Sequence, residues 1–221
     1  MRDIEAVVET LGLKRFDIYS GVNASMLAVT YAAMYGERVR RMVVWESFAR
    51  GLDTLETRPM QVAHGAQANL DNWDEYCRWS AHVSLGWRHP DLATLITPML
   101  IAACSMNAIR DIFLRYTPDD VTPLLGDLSM PVLACQVQDR SNVLPERIDA
   151  VVAAIPHCTL YRTADAELVP VAGRNVGRVI ETIRDFLDAP GHEQQSSAPR
   201  ATTAGPSPRP PSPRRSAPPR P

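Results

Sequence analysis

Catalysis or metal binding needs Ser, Thr, Cys, His, Asp, Glu, Lys or Tyr side chains at spacings that let them converge, and few such groupings occur in these 221 residues. Cys77, Cys104, Cys135 and Cys158 lie far apart, with no CxxC and no short Cys/His spacing. That pattern excludes a recognisable zinc site and fits reduced thiols in a cytoplasmic protein. Asp119-Asp120 is a carboxylate pair, but directly after Pro118 it reads as a helix N-cap and first turn. Neither GxGxxG nor GxxxxGK-S/T occurs, so dinucleotide and P-loop binding have no support, and no cofactor or metal is expected. What remains is a pair of hydroxyls, Ser20 and Ser25, around a strand-to-helix turn, and two carboxylates, Glu46 and Asp139, each beyond a predicted strand. The histidines (His64, His82, His89, His157 and His192) accompany none of these in sequence.

The elements that would position these groups follow from periodicity. Ile4, Val7, Val8 and Leu11 form one helical stripe, started by Asp3 and stopped by Gly12. A strand over Arg15–Ser20, a helix over Ala24–Tyr35 and an apolar strand over Arg41–Trp45 make a βαβ unit, which implies a parallel sheet. Residues 52–128 read as short helices broken at Gly65, Gly86, Pro90, Pro98 and Pro118, and they carry Trp73, Trp79 and Trp87. Trp73, Tyr76 and Trp79, at i, i+3 and i+6, could line a pocket beneath the insertion, and are suited still more to packing the insertion onto the sheet. Strands at Pro131–Cys135 and Thr159–Tyr161, with helices over Glu146–Ile155 and Arg174–Leu187, complete the pattern. The expected fold class is α/β: about four parallel strands with flanking helices and a helical insertion.

Composition divides the chain. Residues 190–221 hold ten of the nineteen prolines, five arginines and no large apolar side chain, so they cannot bury enough surface to order themselves and are expected to be disordered. Residues 1–189 suffice for one domain with a sizeable core. Formal charge is −2 overall and −6 without the tail, which argues against nucleic-acid and membrane-surface binding. Lys14 is the single lysine among 23 basic residues, a mark of nucleotide composition more than of binding design. The apolar run from Leu92 to Cys104 is too short and too interrupted to span a bilayer, and the N-terminus carries no signal-peptide stretch.

Asp3–Phe16, the strand and turn that follow, and Tyr31–Val44 together resemble the central part of α/β-hydrolases. Leu124–Leu133 with Gln138-Asp139-Arg140 is similar to that family's approach to its seventh strand and the loop of its catalytic acid. Ser47–Gly51 and Leu85-Gly86-Trp87 resemble hydrolase-like domains fused to LuxR-type regulators and adenylate cyclases. The resemblance spans roughly residues 3–188 and implies a partial α/β-hydrolase fold with a helical cap over about 52–128.

It also implies what should be missing. The family's nucleophile elbow corresponds to Ser20-Gly21-Val22-Asn23-Ala24, with small flanks at Ser20 and Ala24 but Val22 at the nucleophile position. An isopropyl group has no lone pair to attack a carbonyl and no proton to give up. Ser20 and Ser25 are displaced from that position, and a shift on the order of an ångström is costly in catalysis. Asp139 matches the acid, although without a histidine it reads as a loop Asp bonding nearby N–H groups or Arg140. Glu46 is the weaker acid candidate, expected to be solvated or ion-paired. The histidine position falls near Glu167 and Leu168, where no imidazole stands. The family places about four strands before its elbow and takes one oxyanion-hole N–H from the loop after the third; here about fifteen residues precede Phe16. The first strand should therefore present an open edge that another chain could cover, or the product is marginally stable, or the coding sequence starts further upstream.

These readings favour a hydrolytically inactive protein that binds a small hydrophobic or acyl ligand or acts as a regulatory module. A protein partner or self-association would cover the open edge. The alternatives are a truncated or remnant serine hydrolase, and an enzyme using Asp139 or Glu46 without a triad.

Overall fold

The computed structural model describes residues 1–57, 61–62, 65, 71–85, 87–138, 143–164 and 173–190. The tail beyond residue 190 lies outside them, as do Asp139, Arg140, Glu167 and Leu168.

Helix α1 (Arg2–Thr10) ends where Gly12 takes φ +63, a left-handed turn that glycine adopts without a Cβ clash. It leads into β1 (Phe16–Gly21), α2 (Ala24–Met34) and β2 (Val39–Trp45). After the insertion come β3 (Val132–Val137), and then α6 (Pro145–Ala154), β4 (Cys158–Thr163) and α7 (Val176–Asp188). The four strands form one parallel sheet in the order β1-β2-β3-β4. The expected four-stranded parallel architecture is what the chain forms.

Strand composition explains where the core sits. Met42–Trp45 and Val132–Cys135 are apolar on consecutive residues because helices cover both faces of the inner strands. Met42, Val44, Val132 and Ala134 pack toward α2 and α6, whereas Val43, Trp45, Leu133 and Cys135 pack toward α7 through Val179, Ile183 and Phe186. α2 is apolar almost all round, and its own Ser25, Met26, Val29 and Ala32 are buried. α1 docks beside α2 through the Tyr31 hydroxyl donating to the Glu5 carboxylate, with Arg38 at 3.3 Å from the same carboxylate.

The insertion contains α3 (Trp73–Ser84), α4 (Pro90–Ala103) and α5 (Met106–Tyr116). Asn72 and Ser105 cap α3 and α5 by accepting from the Glu75 and Ala108 N–H groups. Pro98 does not break the chain as expected but lies inside α4. Packing of Ala93, Leu92 and Ile96 against Ala81 and Leu85 of α3 outweighs the local cost of that proline. Among the α3 aromatics, Trp73 stacks on Tyr76 at 5.6 Å and its indole N–H donates to Ile101 O at 3.1 Å. This tie runs to α4, within the insertion.

The neck of the insertion is narrow. Val121 N–H donates to Ala49 O at 2.8 Å and Gly51 N–H to Asp119 O at 2.9 Å, flanking an antiparallel bridge between Arg50 and Asp120. Asp119-Asp120 therefore stands ahead of a helix instead of in its first turn: the next turn is the short 3-10 segment Thr122–Asp127, and the Asp120 carboxylate takes the Thr122 N–H at 2.8 Å.

Candidate functional site

The bend between β1 and α2 is built by a valine in a conformation that valine avoids. Val22 has φ +53, one of three non-glycine residues among those described with positive φ. A β-branched side chain there crowds its own backbone. Two bonds help hold it: Val22 N–H donates to Trp45 O at 2.7 Å, and Ser25 N–H closes the turn onto Val22 O at 3.0 Å. Its isopropyl group is half-buried against the α2-side core. The chain thus makes a sharp strand-to-helix turn with an alkyl side chain at its bend.

The neighbouring hydroxyls are buried. Among the described residues, Ser20, at the end of β1, and Ser25, in the first turn of α2, have no hydrogen-bond partner for Oγ, and neither has Ser47 beyond β2. Among the described residues no imidazole hydrogen-bonds to Ser20 or Ser25.

Glu46 corrects a sequence expectation. Instead of being solvated it is wholly buried, with φ +51, and its Oε1 accepts the Val137 N–H at 2.6 Å. Its own N–H donates to Cys135 O at 2.9 Å. The carboxylate therefore stitches the end of β2 to the end of β3. Burial pushes the adjacent Cys135 thiol up to about 12, with Cys158 and Glu46 adding to the shift. Asp139 and the histidine position at Glu167 and Leu168 lie outside the described residues, so their geometry is not part of the site as drawn.

A second polar constellation sits at the neck, where sequence reading had singled out only Asp119-Asp120. A cleft of about 300 Å³ opens there between Arg50, Asp53, Asp120, Thr122, Leu125 and Arg147. The Asp53 carboxylate is buried; it takes two bonds from Arg50 at 3.0 and 2.6 Å and has Arg147 at 3.7 Å. Arg147 forks onto Glu56 at 2.8 and 2.6 Å and holds that carboxyl below its ordinary value. Asp120 is likewise lowered, by its bonds to Thr122. Sequence carried no signal for this cluster, because Arg50 and Arg147 stand almost a hundred residues apart and no spacing links them. No residue of the bend lines the cleft. Among the described residues no three His, Cys, Asp or Glu side chains converge as metal ligands.

No model of a known protein family matches the sequence, and no curated protein sequence matches it. Solved structures do match in three dimensions. An α/β-hydrolase enzyme from a Medee basin deep-sea metagenome library superposes with a TM-score of 0.62 at 14% identity, over 84% of this chain and 68% of that one. The enol-lactonase of Burkholderia xenovorans matches with 0.66 at 15% identity, over 84% and 70%. A thermophilic esterase of Thermogutta terrifontis matches with 0.62 at 22% identity, over 84% and 69%. At such identities the likeness establishes the fold: an α/β fold of four parallel strands and helices resembling that of α/β-hydrolases.

Proposed function

We propose that this chain is a hydrolytically inactive α/β-hydrolase-fold protein that binds a small hydrophobic or acyl molecule without cleaving it, in a regulatory role. The observation that carries this reading is Val22 at φ +53: the strained turn is kept while its side chain can neither attack nor be deprotonated. Ser20 and Ser25 are buried, and among the described residues neither hydroxyl has a hydrogen-bond partner that could serve as its base. The structural neighbours include an enol-lactonase and an esterase, which points to an acyl ester or lactone as the class of molecule to try. Resemblance to hydrolase-like domains joined to transcriptional regulators and cyclases supports the regulatory part.

The test is isothermal titration of the full chain against a panel of short acyl esters and lactones, with the ligand recovered and assayed for cleavage. Saturable binding with the ligand recovered intact is expected. Turnover above the buffer rate, abolished by Asp139→Asn or Glu46→Gln, would replace this reading with a non-triad enzyme. A folded protein that binds no member of the panel would count against it equally.

A further inference from the structure

The cleft at the neck carries charge that its own contacts do not use up. Its apolar part is firmly held: Ala49, Leu125 and Val151 line it and are buried members of the main core. They come from the segments on either side of the Arg50–Asp120 bridge and from α6. Arg50 and Arg147 also line it, and their side chains are 42% and 39% exposed.

Each guanidinium spends the same two nitrogens within the protein. Nε and Nη2 of Arg50 donate to Asp53, and Nε and Nη2 of Arg147 donate to Glu56. The Nη1 corner of each has two more N–H donors, with no acceptor among the described residues. The two cleft carboxylates differ in the same respect. Asp53 is buried and committed to both arginines, at 2.6 and 3.7 Å. Asp120 is exposed, accepts the Thr122 N–H, and enters no ion pair among the described residues.

The cleft therefore offers a ligand donors from two cations, one open carboxylate and an apolar wall. A simple anion would meet the arginines with Asp120 against it, and a simple amine would meet Asp120 with both guanidiniums against it. A molecule that carries both charges answers each group and leaves the local charge balance unchanged. The volume of about 300 Å³ is at the small end for ligand pockets, which suits a molecule of few atoms. We infer that the neck cleft binds a free amino acid with an aliphatic side chain. Its carboxylate takes the Nη1 donors of Arg50 and Arg147, its ammonium donates to Asp120, and its side chain lies on Ala49, Leu125 and Val151. No residue of the bend between β1 and α2 lines the cleft, so binding here neither needs nor tests the acyl ligand proposed above.

Isothermal titration of the full chain with L-leucine should show one saturable site with a dissociation constant below about 1 mM. Two analogues separate the charges on the unmodified protein: isocaproate lacks the ammonium, and isoamylamine lacks the carboxylate. Each should bind at least about tenfold more weakly than leucine, because each leaves one charged group of the cleft unanswered. Asp120→Asn keeps an oxygen for the Thr122 N–H, so the neck should still close. It should weaken leucine by about tenfold or more and leave isocaproate unchanged or tighter. Failure of leucine to saturate by about 10 mM would overturn the inference. So would an analogue that binds as tightly as leucine, or leucine affinity unaltered in folded Asp120→Asn. Should that variant unfold, the comparison of leucine with its two analogues decides alone.

Discussion

Replacing Val22 by glycine isolates the strain at the bend from the packing of its side chain. An L-residue held in the left-handed region costs about 1–2 kcal/mol, and a β-branched one belongs at the upper end. Glycine removes that cost. Against it stand about 0.5–1 kcal/mol for the freer unfolded chain and roughly 1 kcal/mol for a half-buried isopropyl group. These terms nearly cancel, so Val22→Gly should leave stability within about 1 kcal/mol of wild type. Val44→Gly is the control: Val44 is 1% exposed in the middle of β2, with nothing to relieve, and should lose about 3 kcal/mol or more in burial, cavity and backbone freedom. Urea unfolding followed by tryptophan fluorescence resolves the difference, because with a slope of about 2 kcal/mol/M the midpoints should move by less than about 0.5 M and by more than about 1.5 M. If Val22→Gly falls as far as Val44→Gly, the bend is not left-handed and the comparison with a nucleophile turn fails.

Val22→Ser puts a hydroxyl at the bend, yet p-nitrophenyl ester hydrolysis should stay at the buffer rate; a rise of tenfold or more would mean a competent base and oxyanion site exist. Asp53→Asn strips the buried negative charge from between Arg50 and Arg147 and should cost about 2 kcal/mol in urea. Glu56 and Asp120 both have folded values below their ordinary 4.5 and 3.8, so their contribution is fully present above those values and is lost as pH falls through the lower folded ones. Midpoints should therefore be level in this respect above pH 5 and decline below about pH 4.5, less steeply in Glu56→Gln. Burial holds the Cys135 thiol near 12 and the Cys158 thiol near 11, so neither should alkylate at pH 8 in the folded protein, while unfolded chains label at both.

The strands and helices were legible because their apolar spacing is dictated by burial. Met42–Trp45 and Val132–Cys135 could only be covered on both faces, and the α7 stripe could only be a one-sided helix. The turn at Val22 was legible through the small residues around it, not through the valine itself. The expectation that Glu46 is solvated failed because nothing local distinguishes a carboxylate that collects a backbone N–H from another strand from one that faces water; Val137, whose N–H it accepts, is 91 residues away. Pro98 was misread for a similar reason, since its helix is held by the side chains of α3. The Arg50–Asp53–Arg147–Glu56 cluster was invisible because ion pairs between distant segments leave no periodicity to find.

The two bonds at the neck of the insertion have a consequence for how such chains diversify. They set residues 49–51 alongside 119–121 at antiparallel spacing, about 5 Å between backbones, whatever lies between. Loop closure there is already accomplished, so lengthening, trimming or exchanging the intervening segment adds little entropy cost to folding the sheet, roughly 0.6 kcal/mol per doubling of length. The position is a natural graft point: a hairpin turn spliced between Arg50 and Asp120 should leave the parallel strands standing, and a foreign helical pair should be accepted in the same place.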